Sequence, residues 1–394
     1  MRPDILRGGL SVAALAATAV LAACASDAPT RAEIEAARLA AEAAEIAARA
    51  SPPIRLNQSV ADAAAVYMSF SRDMAGLEGG FTDPEQIQEA LRRGSAYDPG
   101  QISRGLVAYA SILALQSPEF VSGVRSLADD QVTRQRIVAR IVADPDYAAT
   151  LPGADAAAGL IMATLSDDIN SLSRAANSIE NDAYAIQARY DPRRYWGIAE
   201  VRDRQGRLEA AKTRSAQTMT PPAGEAARLF DAAHSGGGAL PVSGAPRKPP
   251  YPPAVANGLA LAALAALGSA GENARANTDA LQFDRVSQGC LTMSKLNLFQ
   301  CLAASRPNYE DMFCLGRHIV RDLATCSRGA AMPAPIVTVS DVIPTDPPPP
   351  PQAAEPIIIT PVPSPAAPEP APAPRPVPSI TERLNAQPER STPE

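Results

Sequence analysis

This chain is poor in several things that most enzymes and nucleic-acid binders have. Aromatic residues make up 4% of it and there is one tryptophan, Trp196. A chain so short of aromatic surface, yet rich in alanine, favours closely packed helices over a β-sandwich. Only three lysines occur, Lys212, Lys248 and Lys295, and the net charge is −6. No basic field is present to attract a phosphate backbone, so nucleic acid is not an expected partner. Two histidines, His234 and His318, leave little for imidazole chemistry. There is no Gly-x-Ser-x-Gly elbow, Ser-x-x-Lys, His-Glu-x-x-His, phosphate loop or Cys-x-x-Cys pair. No apolar run reaches the roughly 20 residues that a membrane-spanning helix needs. No sustained period-2 alternation marks a strand. No catalytic, cofactor-binding or metal-ligating set is read from the sequence.

What is present begins at the N-terminus. Arg2 and Arg7 precede an apolar core, Leu10–Val20, which is followed by Leu21-Ala22-Ala23-Cys24. This arrangement resembles the bacterial lipoprotein signal, in which a peptidase cuts before a cysteine that carries lipid. The resemblance implies a signal peptide over 1–23 and lipidation of Cys24. The alternative is an ordinary signal cut after Ala23-Cys24-Ala25. Three acyl chains would anchor the protein stably, at about 0.8 kcal/mol per buried CH₂. The residue after the cysteine is Ala25 rather than the Asp of inner-membrane retention. The resemblance therefore implies a bacterial outer-membrane location.

Beyond the anchor, residues 24–55 hold a run of helix formers, Thr30–Ala50, read as a solvated helical stalk closed by Ser51-Pro52-Pro53. A helical domain is expected over 56–234. Thr82-Asp83-Pro84-Glu85 carries a capping-box pattern with Thr82 as the hydroxyl cap. Asp98-Pro99 and Ser117-Pro118 repeat a cap followed by proline. Val60, Ala64, Tyr67, Phe70 and Met74 share one helical face; Ile102, Leu106, Tyr109, Ile112 and Leu113 share another. The longest periodic run is Ile161, Leu165, Ile169, Leu172, Ala176, Ile179, Ala183, Ile186 and Tyr190. It predicts a helix of about 30 residues stopped by Pro192. A second helix from about Tyr195 to Ala216 is expected to fold back on it as a long central hairpin. An intermolecular coiled coil is the other reading of that stripe. Residues 235–253 are rich in glycine and proline and read as a loop. Segment 254–330 reads as helical, packed on the same domain, and opens with a buried alanine-leucine helix.

The tail, 331–394, is expected to be disordered. Twenty of the 39 prolines fall between Pro333 and Pro393. Such a segment favours polyproline II and buries no core. Two apolar islands, 336–339 and 357–360, are spacers or strands that add to a partner's sheet.

Cys290, Cys301, Cys314 and Cys326 form the second signal. In an exported protein they are expected as disulfides. Cys290 and Cys301 are about 16 Å apart along one helix, too far to bridge, since bridged Cα atoms lie within about 7 Å. Crossed pairing needs parallel helices, which the short turn Ser305–Asn308 does not allow. Nested pairing remains: Cys290 with Cys326 and Cys301 with Cys314, as two rungs of an antiparallel hairpin. A metal site is the alternative, with His318 the one histidine nearby.

The phrases PGADAAAGL (152–160), SKLNLFQCLA (294–303) and YEDMFCLG (309–316) resemble those of uncharacterised exported helical bacterial proteins with four cysteines. That resemblance covers roughly 56–328 and brings no activity. His234 reads as an exposed helix end and His318 as surface or partly buried. Trp196 reads as packing at a hairpin tip or a ligand patch. The pairs Asp129/Asp130 and Asp167/Asp168 are solvated faces or caps, or else acids for glycan chemistry. The function expected is a non-enzymatic envelope lipoprotein, a helical scaffold or partner-binding domain tethered to a membrane. The alternative is an envelope enzyme acting on peptidoglycan with carboxylates the sequence does not place.

Overall fold

Helix starts in this chain are set by short polar caps, and the computed structural model shows them in use. It describes residues 30–49, 52–188 and 192–334. The signal, Cys24 and the tail from residue 335 lie outside the described residues, as does Tyr190 of the periodic stripe.

Helix α1 (Arg31–Arg49) is exposed over Arg31–Glu42, as a stalk of alanine and paired charges should be. Helix α2 (Gln58–Ala75) starts from Asn57, whose side chain accepts from Val60 N. Helix α3 (Pro84–Gly94) corrects the sequence reading by one position. Its cap is Asp83, which accepts from Gln86 N, and the side chain of Gln86 turns back to Thr82. Pro84 takes the first helical position, where its missing N–H costs nothing, and that fixes Asp83 rather than Thr82 as the cap. Helices α4 (Pro99–Ala114) and α5 (Pro118–Ser126) start from Asp98 and Ser117 as expected. Asp130 caps α6 (Gln131–Ala143).

Helix α7 (Ala154–Ala188) is the 35-residue spine. The stripe from Ile161 to Ile186 is buried along its length, within this one chain. The return arm differs from the expected hairpin. It breaks into α8 (Tyr195–Ile198) and α9 (Arg204–Ser215), and α9 packs on α3 and α13 rather than on α7. The cause is local: Asp203 caps a new helix by accepting from Gly206 N, and residues 199–201 pair with 306–308 instead.

Helix α10 (Ala223–His234) leads into the 235–253 loop. The loop is pinned: Ala239 N and Leu240 N donate to Gln116 Oε1, and Arg247 N donates to Asp155 O. Helix α11 (Pro253–Ala266) is buried nearly all round, so it sits inside the core. After α12 (Arg275–Leu281), α13 (Arg285–Ala304) turns at 305–307 into α14 (Asn308–Leu315). A π-helical turn, Gly316–Arg321, joins α14 to α15 (Asp322–Ala331). Cys290–Cys326 and Cys301–Cys314 are both bridged, with Cα separations of 5.6 and 5.7 Å. The nested pairing stands and the metal alternative falls. One hydrophobic core runs from Ile54 to Ala331, so Ala331 belongs to the body and not to the tail. Among the described residues there are no strands, only two isolated bridges.

Candidate functional site

The turn of the disulfide hairpin is where the polar chemistry of the chain collects. Val201 N donates to Arg306 O at 2.8 Å and Asn308 N to Ala199 O at 3.0 Å. The Asn308 side chain donates to Trp196 O and Ala199 O. These bonds hold α8 and the 199–203 loop against the start of α14. From α9, Arg204 donates to Ser305 O at 2.8 Å and Ala303 O at 2.9 Å, covering carbonyls left open at the end of α13.

Below this lies a buried ion pair. Arg207 on α9 and Asp311 on α14 have side chains 5% and 0% exposed. The Arg207 guanidinium donates to Asp311, to Leu302 O and to Ser305 Oγ. Asp311 also accepts from Ser305 Oγ at 2.7 Å and from Gln88 of α3 at 2.9 Å. Burying two charges costs several kcal/mol each unless their hydrogen bonds are filled, and here three donors serve one carboxylate.

A cavity of about 490 Å³ opens beside the pair, lined among others by Gln88, Arg92, Trp196, Glu200, Arg202 and Arg207. Two donors in its wall residues, Trp196 Nε1 and Arg207 Nε, are buried with no acceptor. An unsatisfied buried donor costs about 1–3 kcal/mol. A second cavity, about 450 Å³, lies beside the inner disulfide and is walled by Tyr184, Cys301, Tyr309 and Phe313. Tyr184 and Phe313 meet edge to face at 5.8 Å.

Other side chains singled out by sequence resolve to structural tasks. His234 is not an exposed end: its Nε2 accepts from Leu56 N at 3.3 Å and its Nδ1 lies 2.7 Å from Phe230 O. One neutral tautomer, Nδ1–H, satisfies both contacts. His318 is partly buried beside Asp322 at 3.3 Å. Asp130 is a cap, and the N–H of Thr133 holds its carboxyl below the usual range. Asp168 is pushed up to about 6, chiefly by burial, with Asp167 adding and Arg72 opposing. Among the described residues no three His, Cys, Asp or Glu side chains converge as metal ligands do.

The sequence reading missed Arg207, Asp311, Asn308 and Lys295. Lys295 lies on the buried side of α13 and donates to Tyr97 O, with its ammonium 4.2 Å from the Tyr97 ring. Burial pushes it down to about 8. For Arg207 a signal existed: it shares a helical face with Leu208 and Ala211, both buried. An arginine on an apolar stripe predicts a buried partner.

No family model, curated protein or solved structure matches this chain. The likeness of its body to exported four-cysteine proteins therefore rests on the sequence phrases alone.

Proposed function

We propose that this protein is a non-enzymatic lipoprotein of a bacterial cell envelope. In this reading, lipid on Cys24 ties it to the outer membrane and α1 serves as a stalk. The helical body binds protein partners, and the proline-rich tail acts as a spacer. The observation that carries the reading is the pair of disulfides, on a chain whose residues 21–24 resemble a lipobox. Both bridges are favoured by an oxidising compartment, and export through a lipoprotein signal would supply one. Among the described residues no helix is long and apolar enough to cross a membrane.

Two carboxylates are taken up by the fold itself. Asp311 is committed to three donors and Asp130 to a cap. The test is fractionation of a Cys24→Ser variant. It is expected to leave the membrane fraction or to accumulate as an uncut precursor. Normal cleavage with normal membrane retention would overturn the anchor. In the unaltered protein, flotation with inner rather than outer membranes would overturn the sorting.

A further inference from the structure

Around the larger cavity most polar groups already have partners. Arg92 pairs with Glu89 at 2.7 Å. Asp203 accepts from Gly206 N at 2.8 Å. Gln88 and Arg207 hold Asp311, and Asn308 holds the α8 backbone. Three charged wall residues have no side-chain partner among the described residues: Glu85, Glu200 and Arg202, all exposed. Glu200 and Arg202 are two residues apart and opposite in charge, yet they do not pair. Trp196 and Arg207 also line it, although Trp196 Nε1 and Arg207 Nε are themselves buried away from the surface.

This set is complementary to a ligand carrying both signs of charge. Two carboxylates answer a cation. One guanidinium, Arg202, answers an anion. We infer that the cavity binds a zwitterion of the short-peptide class, its carboxylate on Arg202 and its ammonium on Glu85 and Glu200. A volume of about 490 Å³ lies in the range of small-ligand sites and holds a tripeptide. An inorganic anion uses half of these groups, and a neutral sugar uses neither charge. The inference goes beyond the envelope reading and stands without the lipid anchor.

Trp196 is the only tryptophan, so its emission reports on the cavity directly. The protein is titrated with three free tripeptides, Ala-Ala-Ala, Ala-Glu-Ala and Ala-Phe-Ala, and binding is measured in parallel by calorimetry. At least one is expected to bind saturably with a change in Trp196 emission. Acetylating its amine or amidating its carboxylate is expected to weaken it by about tenfold. Arg202→Gln is expected to weaken the free peptide about tenfold and to leave the amidated peptide unchanged; Glu200→Gln does the same for the acetylated one. Both residues are exposed and unpartnered, so circular dichroism is expected to match the parent. No binding by any of the three at roughly 10 mM would overturn the inference. So would equal affinity for the blocked peptides, or tighter binding of inorganic phosphate or chitotriose.

Discussion

Two parts of this molecule are held together by opposite means. The seam between α2, α4 and α11, which has the most extensive helix contacts in the fold, contains no cross-link and few charges. Small residues let its backbones approach, beside the tilted pair Tyr67 and Tyr109 with ring centroids 6.1 Å apart. A Cβ on Gly105 would overlap Ala63 O and lie 2.6 Å from the Tyr67 Cβ; one on Gly258 would lie 2.8 Å from the Ala110 Cβ. The hairpin of α13 with α14 and α15 is the reverse. It carries both disulfides, the Arg207–Asp311 pair and the buried Lys295. At the centre, close packing suffices without a cross-link: α11 is buried nearly all round, and Tyr67, Phe70 and Tyr109 are buried on α2 and α4. The hairpin has apolar surface exposed at Val286, Met293 and Leu296, and covalent and polar links supplement its smaller core.

The hardest way to break that contrast is Asp311→Ala. It leaves Arg207 charged, buried and short of a partner, and is expected to cost about 3–5 kcal/mol. The urea midpoint should fall with an unchanged slope. A cost below about 1 kcal/mol would mean that the hairpin does not depend on its ion pair. Next comes Cys301→Ala with Cys314→Ala. The loop closed by the inner bridge is short, and its loss is expected to remove about 3 kcal/mol in the chain-entropy model. A reduced but otherwise unaltered protein should lose at least as much, and chelators should have no effect on it.

Gly105→Ala probes the other region. The added methyl meets backbone that has no room to move, so about 1–3 kcal/mol is expected to be lost, read as a lower melting temperature. A neutral result would show that the seam is loosely packed and would remove the contrast. The smallest effect belongs to Asp168, on α7 where the spine meets α2. Its folded pKa is raised from 3.8 to about 6, so the folded protein binds this proton more tightly than the unfolded chain does. That contribution to stability is present at low pH and is lost as pH rises through about 6. Asp168→Asn is expected to stabilise by about 1–2 kcal/mol at pH 7.5, allowing for solvent screening, and by little at pH 4. Melting curves at the two pH values check it. Equal effects at both would assign the gain to packing instead of charge.

Much of the fold was legible along the chain. The caps Asp98 and Ser117, the stripe from Ile161 to Ile186 and the nested cysteines are local or nearly local signals. Each acts within a few turns of helix, where 3.6 residues per turn is enough to reason with. The candidate site was not legible, except for Trp196. Arg207, Asp311, Gln88 and Asn308 come from three separate helices, and no spacing in the sequence relates them. The broken return arm was missed for the same reason: residues 199–201 exchange an expected helical turn for a bridge to 306–308, about a hundred positions away.

The cysteine ladder divides the two kinds of information most clearly. Sequence alone determined the all-helical class, the antiparallel hairpin and which cysteine meets which, because reach and turn length exclude the other pairings. It did not determine how both rungs face the same side. Eleven residues separate Cys290 from Cys301, and eleven residues of α-helix end only about 20° past three full turns. Twelve separate Cys314 from Cys326, and twelve end about 120° past, which would turn the second thiol away. The π-helical turn at Gly316–Arg321 takes up the extra residue and restores the phase. Only tertiary structure decides that. A π-turn costs local hydrogen-bond geometry, and what offsets the cost is the bridge and the buried face of Ile319 and Val320 against the rest of the fold.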